Sequence, residues 1–335
     1  MKNKPNTLIV YVHLGPSKSN TIIPYSKIAS KFLPEAQMVL ITDKKNNWSH
    51  FPGTVIEYIK FDLAKYAVKK STIYQMKKVA HGYWFYSLER IFALKSLAKY
   101  FHENSNVIHL ESDVLSFIDT DLLNSLKKNT SKTSVPRYSE SRGIASILYS
   151  NSINQLNEDL TKLEKLLGSH KQWINDMEIL GLALNSGILQ ELPTTIESSF
   201  KMDNSDRLIF DGAAIGQFLF GRDALHDGGS IISGYINPDS PIKLEACNIE
   251  SEMDRIVISD TSSGASIRLA NLHIHSKIVF IDWEDFLSLF QRVTFSLSHN
   301  IKTVLKTDVV DKIHTHNGNL IARIIRFFHS KFNIS

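Results

Sequence analysis

Residues 7–14 read TLIVYVHL, an unbroken run of β-branched, aromatic and aliphatic side chains. A run without polar alternation is typical of a strand that is buried on both faces of a sheet. Gly15 and Pro16 end the run, and a helix is predicted from about Thr21, with Pro24 in its first turn, where proline is tolerated. The sequence therefore predicts a β-strand followed by an α-helix.

The alternation of strands and helices continues as far as residue 110. Buried strands are predicted at Met38–Thr42, Thr54–Ile59 and Asn106–Leu110, and an amphipathic helix is predicted at Tyr83–Phe101. Such alternation builds parallel strands with right-handed crossovers, and the predicted fold class is α/β, a Rossmann-type mixed sheet flanked by helices, with a C-terminal amphipathic helix. Ligands of these folds collect at the carboxyl ends of the strands.

The pattern is less regular beyond residue 130. Further strands are predicted at Gly143–Tyr149, Ile256–Ser259 and Ile267–His275. Further helices are predicted at Asn151–Leu167, Trp173–Leu189, Phe210–Phe220 and in the tail from Asn319. No linker rich in glycine, proline or serine separates these elements, so only a soft boundary near residue 130 is predicted. The predicted segments are 1–130, 131–300 and 301–335.

The composition excludes several classes of protein. The 335 residues are 43% hydrophobic and 21% charged, which is ordinary for a globular protein. A single cysteine, Cys247, provides neither a disulfide framework nor a zinc ligand set. The net charge of +4 is too small for a dedicated nucleic-acid binder, so no nucleic-acid partner is expected. No apolar run approaches the roughly 20 residues of a transmembrane helix and no signal peptide is evident, so a cytoplasmic protein is expected.

An acidic pair follows the strand predicted at Asn106–Leu110. In Val107–Val114, VIHLESDV, the carboxylates of Glu111 and Asp113 lie two residues apart directly after the strand. At a strand end they can converge on one hard cation, which would neutralise the charge of a departing diphosphate. The alternative interpretation is a polar turn that happens to be acidic.

A histidine pair occurs late in the chain, in Leu269–Lys277, LANLHIHSK. On a strand, His273 and His275 would share one face, where imidazoles can bind a transition metal. Lys277 is placed to contact a phosphate. The alternative is that one histidine is a hydrogen-bonded core residue and the other is exposed. Together with the acidic pair, the histidines would complete one site for a cation and a diphosphate.

Two further features allow both a functional and a structural interpretation. In Phe210–Gln217, FDGAAIGQ, small residues after Asp211 would leave room for a sugar-sized ligand, or they would pack a tight helix that Asp211 caps. Arg90 could reach a phosphate, or it could lie on the solvated face of its helix. No GxGxxG follows the first strand, and no GxxxxGK[ST] or GxSxG occurs, so dinucleotide-binding, P-loop and serine-hydrolase interpretations lose support.

The order of these motifs resembles the nucleotide-sugar-dependent glycosyltransferases of the GT-A fold, particularly bacterial enzymes that build surface polysaccharide. At the level of motifs the resemblance extends over residues 6–290. Its matching segments are LIVYVHLG (8–15), MVLITD (38–43), ERIFAL (89–94), HLESDV (109–114), FDGAAIGQ (210–217) and NLHIHSK (271–277). The chain departs from the family pattern in having Glu111 as its first acid, and in a late motif that lacks a glycine and a Lys-Pro-Trp ending.

The resemblance implies a sugar nucleotide in the cleft after the first and second strands, bound by the segment 1–130, with the acceptor and catalytic residues in 131–300. The implied contacts of the nucleotide sugar are His13, Asp43, Arg90, Glu111 and Lys277. Glu111 and Asp113 match the acidic metal motif of the family, and the implied further ligands of the divalent cation, Mn²⁺ or Mg²⁺, are His273 and His275. Glu111 could instead contact the ribose, or the metal through water.

The expected reaction is metal-dependent transfer of a sugar from a nucleotide-diphosphate sugar to a glycan or lipid-linked acceptor. Asp211 is the expected general base if the anomeric configuration inverts, and a sugar-positioning residue if it is retained. The alternatives are another metal-dependent nucleotidyl or phosphoryl transferase, and a non-catalytic assembly subunit with the same fold. The sequence leaves the donor, the acceptor, the linkage and the oligomeric state open.

The tail, 301–335, adds a membrane hypothesis. From Lys312 to Ser335 it carries four lysine and arginine residues and no acidic residue. On a helix, its apolar and basic side chains would occupy opposite halves of the circumference, as in a helix that lies in a membrane interface. Peripheral contact of this amphipathic helix with the inner membrane is therefore expected, and it would suit a lipid-linked acceptor. The alternative is a terminal helix docked on the domain.

Overall fold

The computed structural model describes residues 6–15, 19–44, 47–61, 83–170, 174–202, 207–222, 231–239, 242–244, 247–252, 254–260, 266–299 and 304–305. The amphipathic helix predicted in the tail lies outside these ranges. Nothing in the described part of the chain forms a helix that is both long enough and apolar enough to cross a membrane.

The centre of the fold is a mixed sheet of eight described strands. They are β1 (Thr7–His13), β2 (Gln37–Thr42), β3 (Thr54–Glu57), β4 (Asn106–Leu110), β6 (Ser134–Ser139), β7 (Arg142–Gly143), β8 (Ile147–Ser150) and β9 (Gln190–Leu192), while β5 (Val114–Ser116) lies outside this sheet. The order is β3-β2-β1-β4-β8-β6-β7, with β9 also beside β6. β1 pairs in parallel with β2 and with β4, and β2 pairs in parallel with β3. β4 and β8 form an antiparallel pair. Because β4 and β8 lie on either side of residue 130, the sheet crosses the predicted soft boundary, and the division into 1–130 and 131–300 stays a prediction.

Helices cover both faces of this sheet, which explains the continuous apolar sequence of β1. The described helices are α1 (Ile22–Phe32), α2 (Tyr83–Ala93), α3 (Leu97–Tyr100), α4 (Thr120–Asn129), α5 (Ile153–Ser169), α6 (Asp176–Asn185), α7 (Ala214–Phe220) and α8 (Trp283–Ser298), with a 3₁₀ turn at Leu94–Ser96 between α2 and α3. Leu8 and Val10 of β1 belong to a core with α2, α5 and α6. Ile9 and Tyr11 point to the other face and belong to a core with α1 and α4. The side chains of β1 on both faces of the sheet are therefore buried, as expected for a strand that helices cover on both sides.

A second sheet is built mostly from the later part of the chain. Its strands are β10 (Phe200–Lys201), β11 (Arg207–Ile209), β13 (Cys247–Glu252), β14 (Arg255–Asp260) and β15 (Ser266–Leu269), in the order β10-β11-β15-β14-β13. Phe286 and Phe290 of α8 share its core with Ile258 of β14. Two short ladders complete the described strands: β12 (Ile231–Ile232) with β17 (Val304–Leu305), and β5 with β16 (Asn271–His273).

The predicted α/β class, a mixed sheet flanked by helices, is confirmed. The prediction of Ile267–His275 as one strand is wrong, because its residues are divided between β15 and β16, which belong to different sheets. Ala270 is the residue between the two strands. Its N–H donates to the carbonyl of Ile209 over 3.0 Å, and its carbonyl accepts from the N–H of Phe117 over 2.8 Å. The chain therefore leaves the second sheet at this residue and pairs next with β5.

Two other predicted elements have different bounds. The predicted strand Gly143–Tyr149 is interrupted around Ile144, between β7 and β8. The predicted helix Trp173–Leu189 ends at Asn185, because Gly187 adopts a left-handed conformation with φ of 68°. These differences shorten the elements without changing the fold class.

α7 packs closely on β16, and Gly216 makes this approach possible. The helix begins at Ala214, later than the predicted start at Phe210. A Cβ atom at Gly216 would overlap the carbonyl oxygen of His273 and would lie 3.0 Å from Oδ2 of Asp211. The backbone of the helix therefore lies directly against the end of β16.

We expect Gly216→Ala to lower the free energy of unfolding by about 1–3 kcal/mol, because the added methyl group would force α7 away from β16. In an unobstructed helix the same change would raise it by up to about 1 kcal/mol, so the sign of the effect is diagnostic. Urea unfolding followed by circular dichroism measures it. A stabilised variant, or an unchanged midpoint, would contradict the close packing described here.

Candidate metal centre

Two short strands bring the acidic pair and the late histidine together. β5 pairs antiparallel with β16, with Val114 opposite His273. The N–H of Ile274 donates to the carbonyl of Asp113 over 2.7 Å. Segments that are distant in the chain thereby meet beside the carboxyl end of β4, where an α/β fold binds its ligands.

The turn that carries the two acids is held through its backbone. The N–H of Glu111 donates to the carbonyl of Ser146 over 3.1 Å, and the N–H of Val114 donates to the carbonyl of Glu111 over 3.2 Å. The hydroxyl of Thr21, at the start of α1, donates to the carbonyl of Ser112. These contacts fix the backbone of the turn to β5 and to the residues directly before β8 and α1, so the direction in which both carboxylates leave the turn is fixed as well.

Glu111, Asp113 and His273 form a cluster that could hold a metal ion. One ligand atom from each residue lies within 4.8 Å of the other two. Nε2 of His273 is 3.4 Å from Oε2 of Glu111 and 3.5 Å from Oδ1 of Asp113. Two carboxylates and one imidazole suit a divalent cation, so the chemistry of this donor set fits the metal that the motifs imply.

The imidazole of His273 is oriented for this task. Its Nδ1 lies 2.8 Å from the carbonyl oxygen of Gly212. Since a carbonyl only accepts, Nδ1 carries the proton and donates. In the neutral ring the lone pair is therefore on Nε2, which is the atom that faces the two carboxylates. A hydrogen bond of this kind sets the tautomer of histidines that bind metals.

The electrostatics of the cluster favour a positive charge between the carboxylates. Burial lowers the pKa of His273, but the charges of Asp113 and Glu111 and the hydrogen bonds of the ring outweigh it and raise this pKa to about 9. Burial raises the pKa of Asp113, whereas His273 beside it holds that pKa well below its usual range. A bound divalent cation would supply positive charge at this position.

Arg90 of α2 faces this cluster, so the alternative that it lies on a solvated helix face is wrong. The guanidinium donates to Oε1 of Glu111 and lies 4.0 Å from Oδ2 of Asp176, and the side chain is only 17% exposed. It therefore neutralises two buried carboxylates at once, on the opposite side of Glu111 from His273.

Asp176 is a candidate that the sequence analysis missed. It is buried, and burial raises its pKa to about 6 although Arg90 lowers it. It is the first residue of α6, whose start is set by a capping box in which Asn175 and Glu178 exchange hydrogen bonds. The Asn-x-x-Glu spacing is a sequence signal for the start of a helix, but it carries no information that Arg90 is the neighbour.

His275 and Lys277 lie beyond the end of β16, so the prediction that His273 and His275 share a strand face is wrong. The ring centroids of the two histidines are nevertheless 4.2 Å apart. Among the described residues, the three-residue cluster contains His273 and does not contain His275. Lys277 is exposed and has a left-handed backbone with φ of 55°.

His13 and Asp43 lie at the carboxyl ends of β1 and β2, along the same edge of the sheet as Glu111. The ring of His13 packs edge-on against Trp48 with centroids 5.0 Å apart. Oδ2 of Asp43 accepts the N–H of Gly15 over 3.2 Å, which joins the two loops that leave these strands. Both residues lie outside the cluster of Glu111, and their contact with a nucleotide stays a prediction.

Asp211 lies outside this cluster and contacts it through the backbone of His273 in β16. Its side chain is buried, Oδ1 accepts the N–H of Ile215 over 3.0 Å, and Oδ2 accepts those of Gly216 and His273 over 2.8 Å and 3.0 Å. Burial raises its pKa, while these hydrogen bonds and His273 lower it. Of the two interpretations of FDGAAIGQ, this arrangement favours the tight helix. Asp211 accepts two N–H groups of its first turn, although the N-cap residue is Ala213 and not Asp211 as predicted. As a general base Asp211 stays a prediction, and a substrate hydroxyl would have to displace one of its three backbone donors.

A small cavity lies next to the cluster. It is lined by Gly212 together with Tyr138, Asn237 and Asp239. Nδ2 of Asn237 donates to the hydroxyl of Tyr138 over 2.9 Å. Since the carbonyl of Gly212 also accepts from His273, the cavity and the cluster are separated by little more than this residue.

No model of a protein family matches the chain, and no curated protein matches it. Solved structures that resemble part of it include glycosyltransferases. GlyE of Streptococcus pneumoniae TIGR4 aligns with a TM-score of 0.34 and 12% identity, over 56% of this chain and 45% of its own. The galactosyltransferase LgtC, solved with donor and acceptor sugar analogues, aligns at 0.33 and 14%, over 57% and 76%. Mouse xyloside xylosyltransferase 1 aligns at 0.33 and 9%, over 57% and 87%.

The chain thus spans less than half the length of the GlyE chain that it matches. The likeness of these structures to the chain concerns part of its architecture.

We expect His273→Ala to weaken Mn²⁺ binding by about 10- to 100-fold, because Nε2 of His273 faces both carboxylates. The loss of Mn²⁺ affinity in His275→Ala should be several times smaller. Isothermal titration calorimetry of Mn²⁺ into each purified variant measures the difference. Equal affinities for the two variants would remove His273 from the candidate ligand set.

Proposed function

We propose that the chain is a metal-dependent glycosyltransferase, which moves a sugar from a nucleotide-diphosphate sugar to a glycan or lipid-linked acceptor. The observation that carries this proposal is the cluster of Glu111, Asp113 and His273 at the carboxyl edge of a mixed α/β sheet. The acidic motif and the late histidine were both expected from the resemblance to GT-A glycosyltransferases, and a hydrogen-bonded ladder now joins them.

The same residues account for the cofactor. Glu111, Asp113 and His273 would hold a divalent cation, for which we propose Mn²⁺ or Mg²⁺. When bound, the cation supplies the positive charge that a departing nucleoside diphosphate needs. Arg90 donates to Glu111, and Lys277 follows His273 by four residues, so we propose that both cations assist in binding the donor.

The position of the donor follows from the strand ends. We propose that the nucleotide lies along the loops after β1 and β2, near His13 and Asp43, with its diphosphate towards Glu111. This direction is supported by the parallel pairing of β1 with β2 and with β4, which places the three strand ends side by side. The segment 1–130 would then supply most of the contacts with the donor.

The acceptor would bind from the segment 131–300. The polar residues beside Gly212 support this position, because Tyr138, Asn237 and Asp239 offer hydroxyl, amide and carboxylate groups of the kind that bind sugar hydroxyls. The cavity that they line has room for about one water molecule, so a sugar would bind at its mouth and not inside it. If the reaction inverts the anomeric centre, a carboxylate must accept the proton of the acceptor hydroxyl, and Asp211 is the residue proposed for it from the sequence.

The test of this function is a binding panel of UDP-, GDP-, CMP- and dTDP-sugars, with and without Mn²⁺, measured by thermal shift and calorimetry. We expect one nucleotide diphosphate sugar to bind, and to bind more tightly with Mn²⁺. A nucleotidyl or phosphoryl transferase would instead respond to a nucleoside triphosphate or an unglycosylated phosphate substrate. Binding without turnover on any acceptor would indicate a non-catalytic assembly subunit.

We expect Asp113→Asn to lower metal-dependent turnover of the donor by at least about 100-fold while leaving the melting temperature within a few degrees, because the amide keeps the shape but cannot offer a second anionic ligand. Asp121→Asn, an exposed aspartate in α4, is the matched control and should keep full turnover. If Asp113→Asn retains turnover in the presence of a chelator, the cation has no part in the reaction.

A peripheral membrane contact through the tail is a separate part of the proposal. It is supported by the sequence alone, in which basic residues such as Arg323 and Arg326 alternate with apolar ones such as Phe327 and Phe328. This layout suits the cytoplasmic face of an inner membrane and a lipid-linked acceptor presented there.

We expect the full chain to co-sediment with anionic liposomes and a chain ending at Asn317 to remain in the supernatant, because the apolar half of the tail and three of its four cations, Arg323, Arg326 and Lys331, would be lost. Neutral liposomes should retain less of the full chain at the same salt concentration. Equal partitioning of both chains, or unfolding of the shortened one, would show that the tail belongs to the folded domain.

A further inference from the structure

We propose that Asp211 and Asn271 form a buried clamp that sets the orientation of His273 as a metal ligand, so that Asp211 is a positioning residue. This inference rests on the proposed metal site, and it assigns to Asp211 a task other than that of general base. Neither residue belongs to the cluster of carboxylates and imidazole itself.

The carboxylate of Asp211 accepts three backbone N–H groups, from two parts of the chain. Oδ2 accepts the N–H of His273 over 3.0 Å and that of Gly216 over 2.8 Å, while Oδ1 accepts the N–H of Ile215 over 3.0 Å. One side chain thereby fixes the end of β16 to the first turn of α7. Because charge-assisted hydrogen bonds in a buried site are strong, this joint holds the backbone of His273 in one position.

Asn271 holds the backbone of Asp211 in return. Its Nδ2 donates to the carbonyl of Asp211 over 2.9 Å, and its Oδ1 accepts the N–H of Asp211 over 3.2 Å. The amide thus pairs with both main-chain groups of one residue, as a neighbouring strand would. Asn271 is completely buried, and it lies on the same strand as His273, two residues earlier.

The clamp acts on the imidazole through Gly212. The carbonyl of Gly212, the residue after Asp211, accepts the proton of Nδ1 of His273 over 2.8 Å. Asp211 therefore controls both ends of the ligand: its carboxylate holds the main chain of His273, and its own main-chain position places the carbonyl that orients the ring. Any shift of Asp211 would turn Nε2 away from Glu111 and Asp113.

The tight packing around Asp211 leaves its side chain little freedom to take part in another function. Gly216 allows α7 to lie so close to β16 that a Cβ atom would lie 3.0 Å from Oδ2 of Asp211. Ser146 adds another hydrogen bond by donating from Oγ to the carbonyl of Asp211 over 3.1 Å. The side chain of Asp211 is 1% exposed. Its carboxylate is thus an internal support of the metal ligand.

The test is a Mn²⁺ titration of the purified full chain by electron paramagnetic resonance, which counts free Mn²⁺, followed by pulsed measurement of the nitrogen coupling from a bound imidazole. We expect Asp211→Asn to bind Mn²⁺ about 10- to 100-fold more weakly, the range found when supports of metal ligands are removed. We also expect it to lose the nitrogen coupling, since an amide cannot accept all three backbone N–H groups.

Asp159→Asn is the matched control. Asp159 is also fully buried and accepts a backbone N–H, from Thr133 over 2.9 Å, but it lies on α5 away from the cluster. This variant should lose thermal stability while keeping the Mn²⁺ affinity and the nitrogen coupling of the wild-type chain. A loss of stability alone would therefore not imitate the expected result.

Asn271→Ser provides a second test that does not alter the carboxylate, and it remains informative if Asp211→Asn does not fold. The shorter side chain cannot reach both main-chain groups of Asp211, so we expect a weaker nitrogen coupling and about 10-fold lower Mn²⁺ affinity.

Two outcomes would overturn the inference, and they differ in what else they affect. If the wild-type chain binds Mn²⁺ through nitrogen and both variants do so equally well, the clamp is wrong and the proposed metal-dependent function stands. If the wild-type chain binds no Mn²⁺, with or without a nucleotide, the metal site and the clamp that depends on it are both wrong.

Discussion

The pairing of β5 with β16 is the contact on which the candidate site depends. It consists of a short antiparallel ladder that places His273 opposite Val114, extended by the hydrogen bond from Ile274 to Asp113. A two-stranded ribbon this short has little stability alone. It is held from both sides, because Ala270 joins the second sheet at Ile209 and the acidic turn joins the main sheet at the end of β4. The site is therefore located where the two sheets of the protein meet.

The second constraint is the burial of charge. Removing a carboxylate from water costs several kcal/mol unless it is paired, and three ionisable groups share this region with Arg90 and Asp176. The structure meets this cost by alternating charge: Asp176, Arg90, Glu111 and then the protonated His273 with Asp113. An arrangement that needs a positive charge between two carboxylates is suited to a divalent cation, which supplies that charge without depending on pH.

Much of the fold was predictable, because the strands of the main sheet carry local signals. β1, β2 and β4 are mostly apolar since helices cover both faces, and their predicted bounds lie within a residue of the observed ones. The late strand Ile267–His275 was predicted as one element, because its apolar pattern does not change at Ala270. The change of pairing partner there is a long-range event, and the periodicity of one strand carries no information about which sheet it joins.

The sequence by itself determined the α/β class, the position of an acidic pair at a strand end and the presence of a late histidine that could complete it. These follow from hydrophobic periodicity and residue chemistry, which depend on near neighbours in the chain. Only the tertiary structure decided that His273, and not His275, belongs to the cluster with the acids, that Arg90 lies between Glu111 and Asp176, and that three backbone groups occupy the carboxylate of Asp211. The physical reason is that these outcomes depend on the direction of each side chain after distant strands have paired, and a shift of one residue in that pairing would reverse every face.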